Sequence, residues 1–368
     1  MTVLVTGGNG FLGRHVRVAA AIGHQQTRSL GHEDLSDPDV LRAHLDGALG
    51  VIHCAGVNRG DDDHVYSGNV RAARSLADAL TECHTPPTVV YANSVAAANG
   101  TPYGRGKAQA GDILAKAAAN AGSQFVDVGL PNLFGEGCRP DYNSFVATFA
   151  ARIAEGRPVS VTDDREILLV HAQDAAQQLL TALRSGKAPD GWPHGHRALI
   201  SHLAAEFDRL NRLYTAGHSP QGETSLAVQL FNILRRQHSR TATFLQPVAR
   251  SDPRGTLWEG VRHDGQGQVF FSSTLPGKSR GGHFHRRKYE RFMVLSGTGR
   301  LDCHDLVTGE RSSALLGDAG LSVADMRTFE IHTLTNVGQE DLLAAFWISE
   351  HFDPDDTDTY VLEAGADL

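Results

Sequence analysis

Cysteine is scarce in this chain. The four present, Cys54, Cys83, Cys138 and Cys303, are scattered and show no paired spacing. That argues against a disulfide framework or a cysteine zinc site, and it fits a reducing cytoplasm. There is no basic stripe either. The net charge of −8 is spread along the chain, so nucleic acid is not an expected partner, and an anionic substrate would need a local basic pocket. No apolar run approaches the ~20 residues of a membrane-spanning helix, so membrane insertion is not expected. The chain opens directly on a strand-like run, so a signal peptide is not expected. Internal repeats and long low-complexity tracts are also missing. A length of 368 residues then suggests two domains, each able to bury its own core.

What is present begins at the first residues. Thr2-Val-Leu-Val-Thr6 is short, apolar and β-branched, the pattern of a buried strand. Gly7-Gly-Asn9-Gly10-Phe11-Leu12-Gly13 follows at once, and a helical segment runs from Arg14 to Ala21. Glycines at these positions permit a tight turn, close approach of backbone to a pyrophosphate and close helix–strand packing. The helix N-terminus then faces the phosphates. A second strand is expected within 24–30, although His24-Gln-Gln-Thr-Arg-Ser-Leu30 is polar for a buried one and reads as short or edge-like. No carboxylate ends it. An acid there would bind the ribose hydroxyls of NAD, whereas an arginine suits the extra phosphate of NADP, and Arg28 and Arg14 are the candidates. Asp34-Leu35 precedes a further helix, capped by Ser36 or Asp37 with Pro38 in its first turn. Asp34 is placed to contact an adenine amino group or merely to belong to the cap.

Tyr103 and Lys107 stand four residues apart, on one face of a helix. Hydride arriving at a ketone carbon leaves negative charge on oxygen, and a proton must reach it. A phenol of pKa ~10 is a weak acid, and an adjacent ammonium is expected to bring it toward working range. Ser94 can donate a hydrogen bond to the same carbonyl. The pair alone is common by chance; its position gives it meaning. Gly50-Val-Ile-His-Cys-Ala55-Gly56 is a second strand-to-glycine turn, and Val89-Val-Tyr-Ala-Asn-Ser94 is a third strand. Phe125-Val-Asp-Val-Gly-Leu130 is a fourth, followed by Pro131-Asn132-Leu133-Phe-Gly135. Helical segments at roughly 69–82 and 104–121 separate them. Alternation of this kind predicts a doubly wound α/β parallel sheet, with ligands beyond the carboxyl ends of its strands.

These motifs together resemble the extended short-chain dehydrogenase/reductase superfamily over about the first 180 residues. The resemblance implies that Tyr103 donates the proton, that Lys107 holds the nicotinamide ribose and tunes the tyrosine, and that Ser94 positions the carbonyl. It implies a Rossmann-like cofactor site formed by Gly7, Asn9, Gly10, Phe11, Leu12, Gly13, Arg28, Asp34, Leu35, Ala55, Gly56 and Lys107, with Pro131 and Leu133 lining the nicotinamide pocket. Asn93 stands where a second Ser or Thr is common. Further on, a helix is expected from Asn143 to Ala154 and a strand near Val159–Val161. In this superfamily the following lobe closes over a nucleotide-sugar, so Asn132, Arg139, Asn143 and Arg165 are candidates to meet the substrate. A Pro/Gly-rich break spans 186–196, helices are expected at 201–214 and 224–238 with a turn at 216–223, and a linker lies near 239–246.

From about Thr243 the pattern changes to short alternating strands with Gly, Pro and Asp turns, an all-β sandwich or barrel. The division expected is 1–242 for the cofactor-binding reductase domain and 243–368 for the β domain. Within the latter lies Gly277-x5-His283-Phe-His285-x4-Glu290-x6-Gly297. Strand residues two apart point the same way, so His283 and His285 aim together, Glu290 joins them through the intervening turn, and His332 comes from a later segment. This set suits zinc, iron, manganese or nickel. The spacing resembles the first motif of the cupin superfamily. In the second cupin motif Pro-x-Gly usually precedes the histidine, and here Arg327-Thr-Phe329 stands in its place, which leaves His332 matched only by its own position and by Asn336.

Reductase followed by cupin, with Gly56-Val-Asn-Arg59, Asp141-Tyr-Asn-Ser144, Arg254-Gly-Thr-Leu, and the tail from Glu350-His-Phe-Asp-Pro354 to Asp358-Thr-Tyr360, resembles the CapF-type bifunctional capsular polysaccharide enzymes. That resemblance implies a UDP-4-keto-6-deoxy-N-acetylhexosamine substrate, epimerised at carbon 3 by the cupin unit and reduced at carbon 4 with NADPH. The product would be a UDP-N-acetyl-6-deoxy-talosamine-type precursor of N-acetyl-fucosamine. The expected cofactors are NADPH and a divalent metal, taken as zinc, in either a catalytic or a structural role. The expected state is a cytoplasmic homodimer. Two other readings stand beside it: a 4-ketoreductase whose cupin only supports dimerisation, and a nucleotide-sensing protein without turnover.

Overall fold

A computed structural model describes residues 2–215, 224–238, 267–317, 323–350 and 353–362, together with the backbone of 244–245, 249–252 and 255–258. These residues fall into two compact units. One takes the chain up to 144 together with 165–198; the other takes 145–164 and the described part of 199–362.

The first unit begins with β1 (Val3–Thr6), α1 (Phe11–Ile22), β2 (Thr27–Leu30), α2 (His32–Ser36), α3 (Pro38–Leu45) and β3 (Gly50–His53). It continues through α4 (Asp62–Thr81), β4 (Thr88–Ser94), α5 (Pro102–Ala121), β5 (Phe125–Leu130) and β6 (Asn132–Phe134). The strands form one sheet in the order β2-β1-β3-β4-β5, and the pairs along it are parallel. β2 is its edge, which explains why His24 to Leu30 reads as polar; only 27–30 pair, against β1.

The inner strands are buried on both faces, as helix-covered parallel sheets require. Val3 and Val5 of β1 pack with Val16 and Ala19 of α1 on one face. Leu4, between them, points to the other face and packs with Leu41, Leu76 and Leu114 of α3, α4 and α5. Each such aliphatic side chain contributes ~1.5–3 kcal/mol over its exposed state.

After β6 the chain enters the second unit with α6 (Phe145–Ala154), then returns for β7 (Glu166–His171), α7 (Ala172–Ser185) and β8 (His196–Leu199). β6, β7 and β8 make a small separate sheet. The strand expected at 159–161 does not form. Gly156 takes φ +68 after α6, Pro158 has no N–H to offer a ladder, and 157–161 carry no regular structure.

The second unit adds α8 (Ile200–Thr215) and α9 (Ser225–Gln237) to α6. The expected turn at 216–223 lies outside the described residues, as do Arg254, His351 and Phe352 and most of the linker at 239–246. The short strands β9 (Phe244–Leu245), β10 (Ala249–Asp252) and β11 (Gly255–Trp258) follow. Next come β12 (Gln268–Thr274), β13 (Ser279–His283), β14 (Glu290–Ser296), β15 (Gly299–Asp305), β16 (Arg311–Leu316), β17 (Val323–Met326), β18 (Glu330–Asn336) and β19 (Leu342–Ile348). Two antiparallel sheets result, β12-β19-β14-β17-β9 and β13-β18-β15-β16. Their shared core includes Phe292 and Val294 of β14, Leu301 of β15 and Leu334 of β18. The N-terminal parallel sheet followed by antiparallel β structure is the architecture expected from the patterning. No helix among the described residues is long and apolar enough to cross a membrane.

Candidate active site and metal cluster

The glycine-rich turn between β1 and α1 is built by contact. Gly7 holds φ +63, and a Cβ on it would lie 2.9 Å from Ala55 Cα. A Cβ on Gly13 would lie 2.2 Å from the Gly7 carbonyl oxygen, closer than any real contact. Gly10 is the N-cap of α1 and supplies no side-chain cap, so the first amides of Phe11 and Leu12 remain available to a phosphate. The Ala55 amide donates to Thr6 Oγ1 at 3.2 Å, which seats the second glycine turn at Ala55-Gly56 against the first.

Beside β2 lies an open cavity of about 360 Å³ lined by Arg17, Thr27, Arg28, Ser29, Asp34 and His44. Arg28 lies here, 2.8 Å from His44 Nδ1. Asp34 also lines it, with Oδ2 accepting from the Gly31 amide at 2.7 Å, while Leu35 turns into the core. Arg14 instead donates to the Asn9 carbonyl at 3.0 Å. The second cation of the cavity is Arg17, one helical turn on, which holds Asn9 Oδ1 at 3.2 Å. Arg17 and His44 carried no signal of their own in the sequence.

The Tyr103 helix is started by Thr101, whose Oγ1 accepts the Gly104 amide at 3.1 Å, with Pro102 at the first position. The two glycines inside the motif have a packing cause. A Cβ at 104 would meet the Ala96 carbonyl at 2.2 Å and one at 106 the Tyr66 backbone at 3.2 Å, so α5 lies unusually close to the turn that follows β4 on one side and to α4 on the other. This closeness brings Tyr103 and Ser94 into hydrogen-bond contact. Asn93 supports Ser94: its Oδ1 accepts the Ser94 amide at 2.8 Å and its Nδ2 donates to Asp127 Oδ2 at 2.9 Å.

Lys107 does not act on Tyr103 as expected. Its Nζ donates to the Ala92 carbonyl at 2.6 Å and sits 4.2 Å over the Tyr91 ring. Burial raises the Tyr103 phenol above its ordinary value, and the Ser94 hydrogen bond only partly opposes this. The phenol therefore keeps its proton at neutral pH, the state a proton donor must be in. Lys107 is 5% exposed, and burial pushes its ammonium down from 10.5 to about 8, against the pull of Cys54 and Asp127. Its charge is lost as pH rises through that value. The reduction rate is expected to fall on the alkaline side with an apparent pKa near 8; a rate that stays flat up to the ordinary lysine value of ~10.4 would remove Lys107 from the chemistry.

The segment after β5 carries the substrate candidates. Leu133 packs into the core; Pro131 is half-buried and Asn132 exposed, with Asn132 Nδ2 donating to the Leu168 carbonyl at 3.3 Å. Arg139 and Asn143 are exposed. Arg139 lies 6.0 Å from the Tyr142 ring centroid, and Arg59 lies 5.5 Å from the same ring while donating to the Asp141 and Tyr142 carbonyls. Arg165 is exposed just before β7.

Unforeseen in the sequence is Glu136, 2% exposed. Its Oε2 meets His171 Nε2 at 2.9 Å, and its carbonyl meets His15 Nε2 at 2.7 Å. Burial alone would raise this carboxyl, but His171 and then His15 outweigh it and hold it near 2. The cluster ties the first turns of α1 to the 131–137 segment.

In the second unit His283, His285, Glu290 and His332 converge, each with one ligand atom within 4.8 Å of the others. His283 ends β13 and pairs in register with His332 of β18, whereas Glu290 begins β14 of the other sheet. His332 thus joins the pair despite the altered second motif. Phe329, standing where glycine is usual, adopts φ +58, a conformation that costs a bulky residue ~1–2 kcal/mol. Full burial of its ring and its amide bond to the His285 carbonyl at 2.8 Å offset that cost.

The donor set fits a cation. His285 Nδ1 faces the Asp358 carbonyl at 2.5 Å and His332 Nδ1 faces the Glu330 carbonyl at 3.2 Å. Both contacts place the ring proton on Nδ1 and leave Nε2 as a lone pair. Those two buried Nε2 atoms have no hydrogen-bond partner and lie 3.3 and 3.2 Å from the Glu290 oxygens. Burial, then the neighbouring imidazoles, push His283 down to about 4.

Comparison with known proteins agrees with both halves. The NAD dependent epimerase/dehydratase family matches residues 3–193, and the polysaccharide biosynthesis C-terminal domain matches residues 250–360. A Pseudomonas aeruginosa protein, UDP-2-acetamido-2,6-beta-L-arabino-hexul-4-ose reductase, is 28% identical over 99% of each chain. The crystal structure of the capsular polysaccharide assembling protein CapF from Staphylococcus aureus is 25% identical, covers 99% of this chain and 100% of its own, and superposes with a TM-score of 0.61. UDP-N-acetylglucosamine 4-epimerase from Bacillus cereus, 17% identical, shares the fold over 64% of this chain and 96% of its own, with a TM-score of 0.51. The chain belongs to the NAD dependent epimerase/dehydratase family, in the CapF-type arrangement that joins such a unit to a polysaccharide biosynthesis C-terminal domain.

Proposed function

We propose that this protein is a bifunctional nucleotide-sugar enzyme. Residues 243–368, read as a cupin barrel, epimerise carbon 3 of a UDP-4-keto-6-deoxy-N-acetylhexosamine. Residues 1–242 reduce the carbon-4 ketone with NADPH, giving a UDP-N-acetyl-6-deoxy-talosamine-type precursor of N-acetyl-fucosamine for polysaccharide synthesis. It works as a cytoplasmic homodimer. The observation that carries the reading is the Tyr103 phenol in contact with Ser94 at the carboxyl end of β4, on the same sheet as the glycine turn after β1. The name of the Pseudomonas relative, a 4-ulose reductase, supports a ketone at carbon 4.

When bound, reduced nicotinamide supplies the hydride. Ser94 holds the ketone oxygen, Tyr103 delivers its phenolic proton to that oxygen, and Lys107 keeps a positive charge beneath the ribose. Arg28 and Arg17 give the cavity beside β2 the charge to hold a 2′-phosphate, which favours NADPH over NADH. Asn132, Arg139 and Asn143 are assigned to the nucleotide-sugar.

His283, His285, Glu290 and His332 hold a divalent metal, read as zinc from three imidazoles and one carboxylate. A metal there would polarise the sugar ketone and acidify the neighbouring C–H.

The test is to supply UDP-N-acetylglucosamine, a 4,6-dehydratase, NADPH and heavy water, and to read product stereochemistry and deuterium position by NMR. Deuterium at carbon 3 and a reduced carbon 4 are expected. In His283→Ala with His285→Ala, exchange at carbon 3 is lost and ketone reduction survives. Undiminished exchange in that variant would leave a reductase with a non-catalytic barrel.

A further inference from the structure

We propose that Asp358, in the C-terminal segment, is the residue that positions the metal-binding loop: its carboxylate fixes the turn between His285 and Glu290, and its carbonyl fixes the orientation of the His285 ring. This rests on the metal reading above.

Asp358 is 2% exposed, although the residues on either side of it are half-buried or exposed. Its Oδ1 accepts the Arg286 amide at 3.2 Å, and its Oδ2 accepts the Arg287 amide at 3.0 Å and the Lys288 amide at 2.9 Å. Three successive backbone donors thus converge on one carboxylate. Consecutive amides point to one side only when the backbone turns sharply, and here the turn lies between His285, two residues past the end of β13, and Glu290, the first residue of β14. Without an acceptor inside it, the loop would have to open to water to satisfy those amides, and Glu290 would lose its register with the imidazoles.

The second contact acts on the ligand itself. The Asp358 carbonyl lies 2.5 Å from His285 Nδ1, so the proton sits there and Nε2 points into the cluster. Asp358 presents both groups at once by adopting φ +41, a conformation aspartate tolerates better than most residues. The segment is held on both sides of it. Phe284 and Tyr360 exchange two backbone hydrogen bonds at 3.0 Å each, and Lys288 Nζ donates to the Thr357 carbonyl at 2.6 Å.

The experiment measures Zn²⁺ affinity of the full chain by competition with a chromophoric chelator, and the visible spectrum of the Co²⁺-loaded protein. Wild type, Asp358→Ala, Asp358→Gly and Asp358→Asn are compared, each checked by circular dichroism. Glycine accepts the positive φ without strain, so Asp358→Gly isolates loss of the carboxylate from loss of backbone comfort. Zn²⁺ binding is expected to weaken ~10–100-fold in Asp358→Ala and Asp358→Gly, with an altered Co²⁺ spectrum. Asp358→Asn, which keeps an acceptor oxygen, is expected to restore part of the loss. Wild-type affinity and an unchanged Co²⁺ spectrum in the alanine and glycine variants overturn this inference alone. A wild-type chain that binds neither ion overturns it together with the metal reading.

Discussion

Tyr103→Phe lowers the rate of ketone reduction by about 10²–10⁴-fold and leaves dinucleotide binding intact. The change removes one hydroxyl and keeps the ring, so the packing of α5 against the end of β4 survives. What is lost is the proton source. Burial holds the phenol above its ordinary pKa, so the side chain arrives at the reaction protonated, and phenylalanine has nothing to give. The hydroxyl's hydrogen bond to Ser94 is worth only ~1 kcal/mol of stability, so the variant should fold. The decisive measurement is NADPH oxidation in a single turnover, paired with cofactor titration by fluorescence. Turnover equal to wild type, with the cofactor bound, would refute the assignment of Tyr103 and with it the reductase reading.

The other large effect concerns the fold of the second unit. Asp325 of β17 is fully buried between two guanidinium groups. Arg235 of α9 reaches its Oδ2 at 2.5 Å, Arg291 of β14 reaches its Oδ1 at 3.0 Å, and Tyr214 of α8 donates at 3.4 Å. Burial alone would raise the Asp325 carboxyl, and the two arginines outweigh it and hold it below the usual range.

Asp325→Asn is expected to cost ~3–5 kcal/mol, because two buried cations then share no anion. Urea unfolding of the second unit should show the loss as a lowered midpoint at unchanged slope. Replacing Asp325 by leucine together with Arg235→Met and Arg291→Met should recover most of it, since desolvation of the charges disappears along with their attraction. A single variant within ~0.5 kcal/mol of wild type would show that the cluster is not what joins α9 to the strands.

The two effects differ in how far the sequence exposes them. Tyr103, Lys107, Ser94 and the glycines at 7, 10 and 13 are legible one by one, since each meets a local demand at a fixed spacing. A turn that must approach a phosphate admits only glycine, and a phenol and an ammonium on one helical face sit four residues apart. His283, His285 and Glu290 are legible for the same reason, through strand alternation and a short turn. Even the polar second strand announces its place, because only an edge tolerates it. The expected direction of the Tyr103 shift was wrong because spacing along a helix does not say where an ammonium ends up. Lys107 is drawn to the Ala92 carbonyl by the closeness of α5 to the end of β4, and the glycine at 104 permits that closeness.

Local chemistry alone therefore specifies the order of strands and helices, the glycine-rich turn after β1 and three of the four side chains of the His/Glu cluster, because each rests on spacings of a few residues. The fold alone brings His332 to those three, sets Asp358 under their loop, adds Arg17 and His44 to Arg28, and buries Glu136 between His15 and His171. Each of these contacts joins residues far apart in the chain or turns on which way a helix faces. Nothing in the neighbouring residues encodes such a meeting until the hydrophobic cores have closed.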